Sequence, residues 1–477
     1  MIEGLKPYAE YKESGQEWLG CVPAHWDLRR TKLILREVDS RSTTGKEQLL
    51  RVSQYTGVTQ RKAADGSDAP DTRAASLVGY KRVAVNDLVI NIMLAWNGSM
   101  GVSRFDGIAS PAYCVYRLNK GAQPWYFHQL FRLPLYKGRI KAVSTGVIES
   151  RLRLYSDDLG RIEAILPPPD EQAAIVRFLD HANRKIDGFI RAKRKLIGLL
   201  NEQKQAIIHN AVTRGLNPDV PLKPSGIPWL GEIPGHWGIR PLKQTLLRMD
   251  YGTSESSTGD GKYRVLTMGH IQNGRVLVPD EGGINEIPAG LSLKTNDLLF
   301  NRTNSPELVG KVGIFSGSNE PSVTFASYLV RLRVRAEHNP SWLNYLLNSF
   351  RFWAFARSQA LVSLHQANLN SSRYGRMNIP VPPRQDQDSI VENIYTQTSA
   401  IDTAIARTER EIALMQEYRT RLTADLVTGK LDVRDAAAEL PVGGEASDLS
   451  DRSDVSDESD LSDLSDLSDE TTLEDAP

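Results

Sequence analysis

Residues 18–26 read Trp-Leu-Gly-Cys-Val-Pro-Ala-His-Trp, and residues 229–237 read Trp-Leu-Gly-Glu-Ile-Pro-Gly-His-Trp. The two stretches are identical at six of nine positions, including both tryptophans and the histidine, and lie 211 residues apart. A repeat of that length is the size of a domain, far longer than the roughly 20–50 residues of a solenoid unit. We therefore interpret the chain as two copies of one domain-sized frame.

Further matches continue through both copies at offsets of 210 to 215 residues. They include Asn86-Asp87-Leu88 with Asn296-Asp297-Leu298, Pro167-Pro168 with Pro382-Pro383, Gln172 with Gln387, and Val212-Thr213 with Val427-Thr428. Residues 41–123, in contrast, differ from the corresponding part of the second copy. One frame thus carries two different inserts, which predicts a target made of two unlike parts.

Length and composition restrict the class of protein. The 477 residues are enough for about three domains, and each copy is long enough to bury its own core. Only Cys21 and Cys114 are cysteines, which argues against a disulfide framework or a structural zinc site and suits a reducing compartment. The first residues lack a secretory signal pattern, and no apolar run reaches ~18 residues. We expect a soluble cytoplasmic protein without a metal site.

The formal net charge of zero hides an asymmetry along the chain. Residues 441–477 contain thirteen Asp or Glu and one Arg, so they carry −12 and residues 1–440 carry +12. A basic body favours polyanions such as nucleic acid. The alternative is an ordinary solvated surface over which the charge is spread.

The acidic end of the chain repeats Ser-Asp with a period of three from Ser453 to Asp469. Such a segment has too little apolar surface to offset the entropy of ordering it. We expect residues 433–477 to be a disordered acidic tail. It would serve either as a solubilising tail or as a DNA mimic that competes for the basic surface.

Each copy ends in a segment with a heptad pattern of apolar residues. The first begins after Asp170, a favourable N-cap, and ends near Gly215, while the second ends near Gly429. Each predicts a helix of ~40 residues, about 60 Å long. Because one such helix cannot bury its apolar stripe alone, we expect the two to form an antiparallel coiled coil; the alternative is that each packs on its own domain. The predicted stripe, interrupted at Lys193 and Gln203, comprises Ile175, Leu179, Ala182, Ile186, Phe189, Leu196, Leu200 and Ile207, then Ile390, Ile394, Ile401, Ile405, Ile412, Met415, Leu422 and Leu426.

The rest of each copy predicts a mixed α/β domain. Short β-rich runs broken by Asn and Gly occupy 80–120 and 263–334, and short helices follow at about 125–132 and 342–350. The predicted fold class is therefore mixed α+β, with two tandem α/β domains, each followed by a long helix. The predicted boundaries are 1–168 for the first α/β domain, 169–215 for the first long helix, 216–383 for the second α/β domain, 384–432 for the second long helix, and 433–477 for the tail.

No catalytic signature is recognisable in the sequence. A phosphate-binding G-x-x-x-x-G-K-[ST], a G-x-G-x-x-G and the Asn/Asp-Pro-Pro-aromatic tetrad of an amino-methyltransferase are all missing. Pro169-Asp170 with Glu202-Gln203-Lys204 resembles a nuclease pattern, but about 48 Å of helix would separate the two elements. We interpret His25 and His236 as structural, because no acid or nucleophile is paired with them in both copies, with partner docking as the alternative.

Polar and basic loops in the two inserts are the candidate DNA-binding sites. Arginine can read guanine, asparagine can read adenine, and hydroxyls can contact phosphate. The predicted DNA-binding residues are Thr253, His270, Arg302, Thr303, Asn304 and Lys311 in the second copy, and Asn97, Ser99, Arg151 and Arg153 in the first. For any single one of them, the alternative is a solvated loop.

At this point a family resemblance can be stated for residues 8–435. The repeated W-L-G-x-x-P-x-H-W, the stretch Asn-Asp-Leu-Leu-Phe-Asn-Arg-Thr-Asn (296–304), and Gly-Arg followed by Pro-Pro-x-x-x-Gln (160–172 and 375–387) resemble the specificity (S) subunit of a type I restriction-modification system. The resemblance implies a non-catalytic subunit in which each α/β domain is a target-recognition domain that reads one half of a split, asymmetric DNA site. It further implies that the helix pair sets the distance between the half-sites.

The resemblance also implies partners and cofactors. Methyltransferase subunits would bring S-adenosylmethionine and methylate adenine, and restriction subunits would bring ATP and Mg²⁺, so the chain itself would hold no cofactor. The acidic tail is not part of the family pattern. Three alternatives remain: an enzyme with a divergent site, a coiled-coil scaffold that does not touch DNA, and a specificity protein of a related phage-defence system.

Overall fold

The computed structural model describes residues 5–61, 74, 76–148, 151–255, 257, 261–317, 323–363 and 366–441. The chain divides into two compact units, Met1–Gly188 with Met415–Pro477, and Phe189–Leu414. The two boundaries between the units each fall inside a long helix. One lies after Gly188 in Pro169–Arg214, and the other lies after Leu414 in Arg384–Val427. Each unit therefore contains one α/β domain, the beginning of the helix that follows it, and the end of the other helix.

The first unit is built on a four-stranded antiparallel sheet. Its strand order is Leu35–Glu37, Tyr113–Leu118, Leu88–Asn91, Met100–Val102. All four residues of Leu88–Asn91 are buried, as its continuous apolar run predicts. Short helices at Pro124–Phe131, Pro134–Val143 and Ser156–Arg161 follow. The other strands are Tyr11–Glu13, Cys21–Pro23, Asp27–Arg30, Leu50–Ser53, Gly57–Gln60, Lys81–Val83, Gly107–Ala109 and Glu163–Leu166.

The second unit repeats that sheet and extends it. Its strand order is Leu246–Tyr251, Leu329–Val334, Leu298–Asn301, Val312–Ile314, Arg275–Val276, Ile271–Gln272. The first four correspond to the sheet of the first unit, and the last two form a hairpin at the edge. The other strands are Leu222–Pro224, Glu232–Pro234, Gly238–Pro241, Tyr263–Leu266, Gly283–Ile284, Thr303–Asn304, Val323–Phe325, Leu361–Ser363, Gln366–Asn368 and Asn378–Val381, and the short helices are Pro340–Leu347, Phe350–Ser358 and Ser371–Gly375.

The repeated triplets Asn86-Asp87-Leu88 and Asn296-Asp297-Leu298 make the same turn into the central strand of each sheet. Both asparagines have positive φ, 72° and 71°, in the left-handed region that asparagine tolerates better than most residues. Both aspartates are buried and accept two hydrogen bonds from an arginine of the neighbouring strand, Arg117 or Arg333. The triplet is therefore repeated for a structural reason, because a buried carboxylate needs a charged partner.

The two long helices pack on each other, and they run antiparallel. Within the second unit, Lys193 pairs with Glu411 at 2.7 Å, and Lys204 pairs with Asp402. The residue number rises along one helix while it falls along the other, as an antiparallel pair requires. The first turns of each helix also pack in the core of its own unit. The alternative prediction, that each helix packs on its own domain, is therefore correct for these first turns only. The helical residues of these cores are Ile175, Phe178, Leu179, Ala182, Leu422, Leu426 and Val427 in the first unit, and Ile208, Ala211, Val212, Ile390 and Ile394 in the second.

The predicted heptad stripe is correct at the start of the first long helix and wrong further along it. Ile186 is buried, but Phe189 and Leu196 are substantially exposed and Ile190 is buried in place of Phe189. Since a straight helix has 3.6 rather than 3.5 residues per turn, its buried face drifts by roughly 20° per heptad. The drift moves the contact to the next residue along the chain. Lys193, predicted as an interruption, instead makes an ion pair across the two helices.

The predicted tail begins at 433, yet the packed body continues beyond that residue. Val433 and Ala437 are fully buried in the core of the first unit, and Arg434–Ala438 is a short helix. Residues 442–477, which include the Ser-Asp repeat, lie outside the described part of the chain. None of the helices in the described part of the chain combines the length and the apolarity needed to cross a membrane.

Candidate nucleic-acid interface

Each histidine of the repeated opening pairs with a carboxylate on the first turn of a long helix in the same unit. His25 Nε2 donates to Glu171 Oε2, and His236 Nε2 donates to Asp386 Oδ2, both at 2.8 Å. The sequence-based statement that no acid is paired with both histidines is therefore wrong. The signal was present, because positions 171 and 386 are both acidic and lie at the offset of 215 that their neighbours share. In both copies this contact joins the opening to the helix, in keeping with a structural role.

Arg302 of the second unit is half-buried and comes directly after the buried strand Leu298–Asn301. Its Nη2 donates to Asn368 Oδ1 at 3.3 Å, and its Nη1 donates to the Ser327 carbonyl at 3.4 Å. The guanidinium carbon lies 5.1 Å from the centre of the Tyr251 ring. An arginine that three neighbours already orient loses less conformational entropy when it binds a ligand. The arrangement suits recognition of an acceptor pair such as the guanine edge.

Thr253, Thr303 and Asn304 lie beside this arginine. Thr303–Asn304 is an edge strand that pairs with Gln366–Asn368, and Asn368 Nδ2 donates to Thr303 Oγ1 at 3.0 Å. The Thr253 carbonyl accepts from Ser327 N at 2.8 Å. Thr253 and Thr303 are buried, and the Thr253 hydroxyl accepts from Glu255 N at 3.1 Å, so both hydroxyls serve contacts within the loops. Asn304 is half-buried and is the better placed of the three to reach a ligand.

His270 and Lys311 have other local partners. His270 Nδ1 accepts from the Thr267 backbone N–H at 2.8 Å in a capping box. Burial lowers the pKa of His270 from its usual value, so it is a neutral capping side chain at pH 7. Lys311 is half-buried, with Nζ 5.4 Å from the centre of the Trp353 ring. A cation held over an aromatic face can still offer its ammonium group to phosphate.

In the first unit, Asn97 and Ser99 form one tight turn. Asn97 Oδ1 accepts from the Ser99 backbone N–H at 3.1 Å and from Ser99 Oγ at 2.9 Å. Lys137 Nζ donates to the Asn97 carbonyl at 3.2 Å. Ser99 is buried, so its hydroxyl supports the turn, while Asn97 is half-buried.

Arg151 and Arg153 belong to a hairpin that both copies possess. Thr145 and Arg153 exchange two backbone hydrogen bonds, and the hairpin is joined to the frame where Leu154 N donates to the Ile92 carbonyl at 2.9 Å. The second unit has the corresponding hairpin Leu361–Asn368, joined where Leu369 N donates to the Arg302 carbonyl at 2.8 Å. Arg151 is exposed and Arg153 half-buried.

The two copies therefore present different chemistry from equivalent places. Apolar Ile92 occupies the position of Arg302, and Arg153 occupies the position of Asn368, each pair being fixed by the matching hairpin contacts. Sequence reasoning missed Asn368, which only the hairpin pairing brings beside Arg302. The sequence does place Asn368 215 residues after Arg153, the offset that other repeated residues share. That offset points to Asn368 only once the two hairpins are known to correspond.

Among the described residues, no group of three or more His, Cys, Asp or Glu side chains is arranged to hold a metal ion. The polar groups that converge here are donors and acceptors on loops, supported by buried strands. Such an arrangement can bind a polar polymer through hydrogen bonds and charge.

Comparisons with known proteins bear out the resemblance seen in the sequence. No family model matches the chain. A stretch of 204 residues is 25% identical to the MjaX type I restriction enzyme specificity subunit of Methanocaldococcus jannaschii. The match covers 42% of this chain and spans about half the length of that relative, 47%.

A solved structure shares the fold over most of this chain. A chain from the work "Structural basis underlying complex assembly and conformational transition of the type I R-M system" superposes with a TM-score of 0.60 at 14% identity, over 85% of this chain and 98% of that chain. The HsdS subunit from Thermoanaerobacter tengcongensis aligns over 88% of this chain and 99% of its own, at 15% identity and a TM-score of 0.42. The predicted resemblance to type I specificity subunits and the predicted fold class, two α/β domains with a pair of long helices, are confirmed.

Proposed function

We propose that this chain is the DNA sequence-recognition subunit of a type I restriction-modification complex, and that each α/β domain reads one half of a split, asymmetric site. The observation that carries the proposal is the repeated frame with unlike surfaces. The four strands of the first sheet recur in the second, whereas Ile92 and Arg153 in one copy stand where Arg302 and Asn368 stand in the other. A duplicated frame suits the approximate dyad of duplex DNA, and unlike surfaces suit unlike half-sites.

Specificity in this proposal comes from loops, and the enzymology comes from partners. The chain would be non-catalytic, and methyltransferase subunits bound to it would supply S-adenosylmethionine and methylate adenine in the site. Restriction subunits would supply ATP-driven cleavage with Mg²⁺. The resemblance to the MjaX specificity subunit, across 47% of that protein's length, supports this assignment of roles.

The helix pair is proposed to set the spacing between the half-sites. Insertion of seven residues into both long helices, between Leu196 and Gln203 in the first and at the facing turns of the second, is expected to lengthen the spacer by a fixed number of base pairs. An unchanged spacer in a folded variant would contradict this part of the proposal.

The proposal is tested by co-expressing the chain with its adenine methyltransferase partner and mapping methylated adenines by single-molecule sequencing. A split motif with marks on both strands supports the recognition role. A soluble complex that produces no motif would contradict it and favour the scaffold. S-adenosylmethionine binding or metal-dependent DNA cleavage by the chain alone would favour the enzyme.

A further inference from the structure

Two positions on the helix that follows each insert differ between the copies although the frame around them is the same. His128 and Arg132 lie one turn apart at the end of Pro124–Phe131, and Asn344 and Asn348 lie at the same places on Pro340–Leu347. His128 and Asn344 are 216 residues apart, and so are Arg132 and Asn348. The prolines that begin the two helices have the same separation.

The second position of each pair makes one contact that both copies share. Arg132 Nη1 donates to the Met100 carbonyl at 2.6 Å, and Asn348 Nδ2 donates to the Val312 carbonyl at 2.9 Å. Met100 and Val312 begin equivalent strands, each paired with the buried central strand of its sheet. This contact therefore belongs to the frame.

The remaining contacts of the first pair reach into the first insert. Arg132 Nη2 donates to the carbonyls of Gln54 and Tyr55, both at 2.8 Å, in the turn between strands Leu50–Ser53 and Gly57–Gln60. The same guanidinium donates to the Gly98 carbonyl at 3.2 Å. One side chain thus holds the 54–56 turn and the Asn97–Ser99 turn together, and Tyr55 is left exposed at the tip.

His128 supports the same turn from below. Its ring lies so close to Gly57 and Gly101 that a Cβ at either position would stand about 3 Å from the ring, 3.0 and 3.1 Å. His128 Nδ1 accepts from Val102 N at 3.1 Å, which requires the neutral ring. Burial, with the charges of Arg132 and Arg104 nearby, lowers the pKa of His128 to about 3, so the ring remains an acceptor at any physiological pH.

In the second unit the asparagine pair holds a different turn. Asn344 Nδ2 donates to the Gly274 carbonyl at 2.8 Å, and Asn348 Nδ2 donates to Asn344 Oδ1 at 3.0 Å. Gly274 lies in the turn between Ile271–Gln272 and Arg275–Val276, a hairpin at the edge of the sheet. The turn exposes Gln272, Asn273 and Arg275, side-chain types that read base edges.

We propose that His128/Arg132 and Asn344/Asn348 are anchor pairs, positioning residues that couple the common frame to one recognition turn in each unit, 54–56 in the first and 272–275 in the second. Each half-site is then read correctly only when the anchor pair matches its own insert. The arginine reaches two carbonyls of a wide turn, whereas the shorter asparagine reaches one carbonyl of a tight turn. The inference rests on the proposed function and adds these turns and their anchors to it.

The experiment maps adenine methylation by the full complex for Arg132→Asn, for His128→Asn/Arg132→Asn, and for Asn344→Ala/Asn348→Ala. In Arg132→Asn, sites with a mismatch in one half-site are expected to be methylated at least tenfold more, relative to the correct site, than in the unmodified complex. Discrimination at the other half-site should be unchanged. The Asn344→Ala/Asn348→Ala variant is expected to relax the opposite half-site. Arg29→Asn, which removes an exposed arginine paired with Asp27, is the matched control and should leave both halves intact.

A second readout separates positioning from loss of fold. Hydrogen exchange at Tyr55–Gly57 should accelerate at least tenfold in Arg132→Asn while the strand Leu88–Asn91 keeps its protection, and Arg132→Lys, with one donor group, should restore part of both effects. Equal relaxation of both half-sites, or two unchanged half-sites in a folded Arg132→Asn chain, would overturn the inference while the proposed function stands. If the unmodified complex gives no split motif, the proposed function fails, and the inference fails with it.

Discussion

His25 Nε2 lies 2.8 Å from Glu171 Oε2, so the repeated opening of the first copy is joined to the first turn of the first long helix. The second copy repeats the contact at the same distance with His236 and Asp386. The surroundings differ. Glu171 is buried and also accepts from Tyr8, whereas Asp386 is partly exposed and also accepts from Trp237 Nε1 at 3.1 Å.

The first prediction follows from that difference in burial. Glu171→Ala is expected to destabilise the protein by about 2 kcal/mol, because it leaves the buried Tyr8 hydroxyl without an acceptor and also removes the partner of the exposed His25. Asp386→Ala is expected to cost less, about 1 kcal/mol or below, because water can replace a partly exposed carboxylate. Chemical denaturation of the two variants, with Glu171→Gln as the isosteric control, measures the order. Equal losses would show that burial does not set the strength of the contact.

The second prediction concerns three glycines with similar positive φ. A Cβ at Gly429 would lie 2.5 Å from Pro23 and 2.8 Å from Trp26, one at Gly215 would lie 3.2 Å from Trp237, and Gly15 has nothing within 4 Å. Gly15→Ala should cost only the backbone strain, about 1 kcal/mol. Gly215→Ala should cost somewhat more, and Gly429→Ala should add an overpacking loss of roughly 1–3 kcal/mol. Thermal unfolding should rank the melting temperatures in that order, and a Gly429→Ala protein as stable as Gly15→Ala would contradict the close packing.

The third prediction concerns the ion pair between the long helices. Glu411→Lys places two cations together at the 2.7 Å contact with Lys193 and should lower stability modestly, since water screens a pair that is not fully buried. Lys193→Glu combined with Glu411→Lys should restore most of the loss. Denaturation of the two single variants and the double variant gives the coupling energy. A double variant no more stable than the sum of the singles would mean that the two side chains do not interact.

The fourth prediction concerns pH. Burial, with Arg351 and Arg214 nearby, lowers the pKa of His209 to about 4. The unfolded chain takes up this proton near pH 6.5 and the folded chain does so only near pH 4, so stability is full above pH 6.5 and falls as the pH drops through that window. The loss from this residue should reach about 1 kcal/mol at pH 5.5.

Replacement of the titrating ring tests this assignment. His209→Gln should reduce the slope of the free energy of unfolding against pH between pH 6.5 and 4. The reduction should correspond to the uptake of up to about one proton on unfolding, measured by denaturation at several pH values. If the slope is the same in the variant and the unmodified protein, the ring titrates alike in the folded and unfolded chains.

Sequence reasoning reached the frame because its determinants are local. The repeated Asn-Asp-Leu triplet, the β-rich runs and the heptad stripes are each patterns of residues close together in the chain. The drift of the stripe at Phe189 and the pairing of Lys193 with Glu411 depend on a second helix, which no local pattern specifies.

The candidate surface was only partly predictable for the same reason. Arg302 was identifiable because an arginine follows a buried strand in a polar loop. Asn368 and Arg132 were not, because they act through hairpin and turn contacts 66 and 78 residues away in the chain. Ser99, Thr253 and Thr303 have residue types suited to phosphate but are buried, and burial cannot be deduced from residue type in a loop.

Arg302→Gln tests most directly whether each copy reads its own half-site. The full complex carrying this substitution should be compared with the unmodified complex by mapping methylated adenines across a genome, with Arg29→Gln as the control. We expect one half of the split motif to become degenerate or to change, because Arg302 is held in place by Ser327, Asn368 and Tyr251 of the second unit, while the other half stays the same at every position. A motif that is unchanged, or one in which both halves relax together in a folded complex, would contradict the assignment of one copy to one half-site.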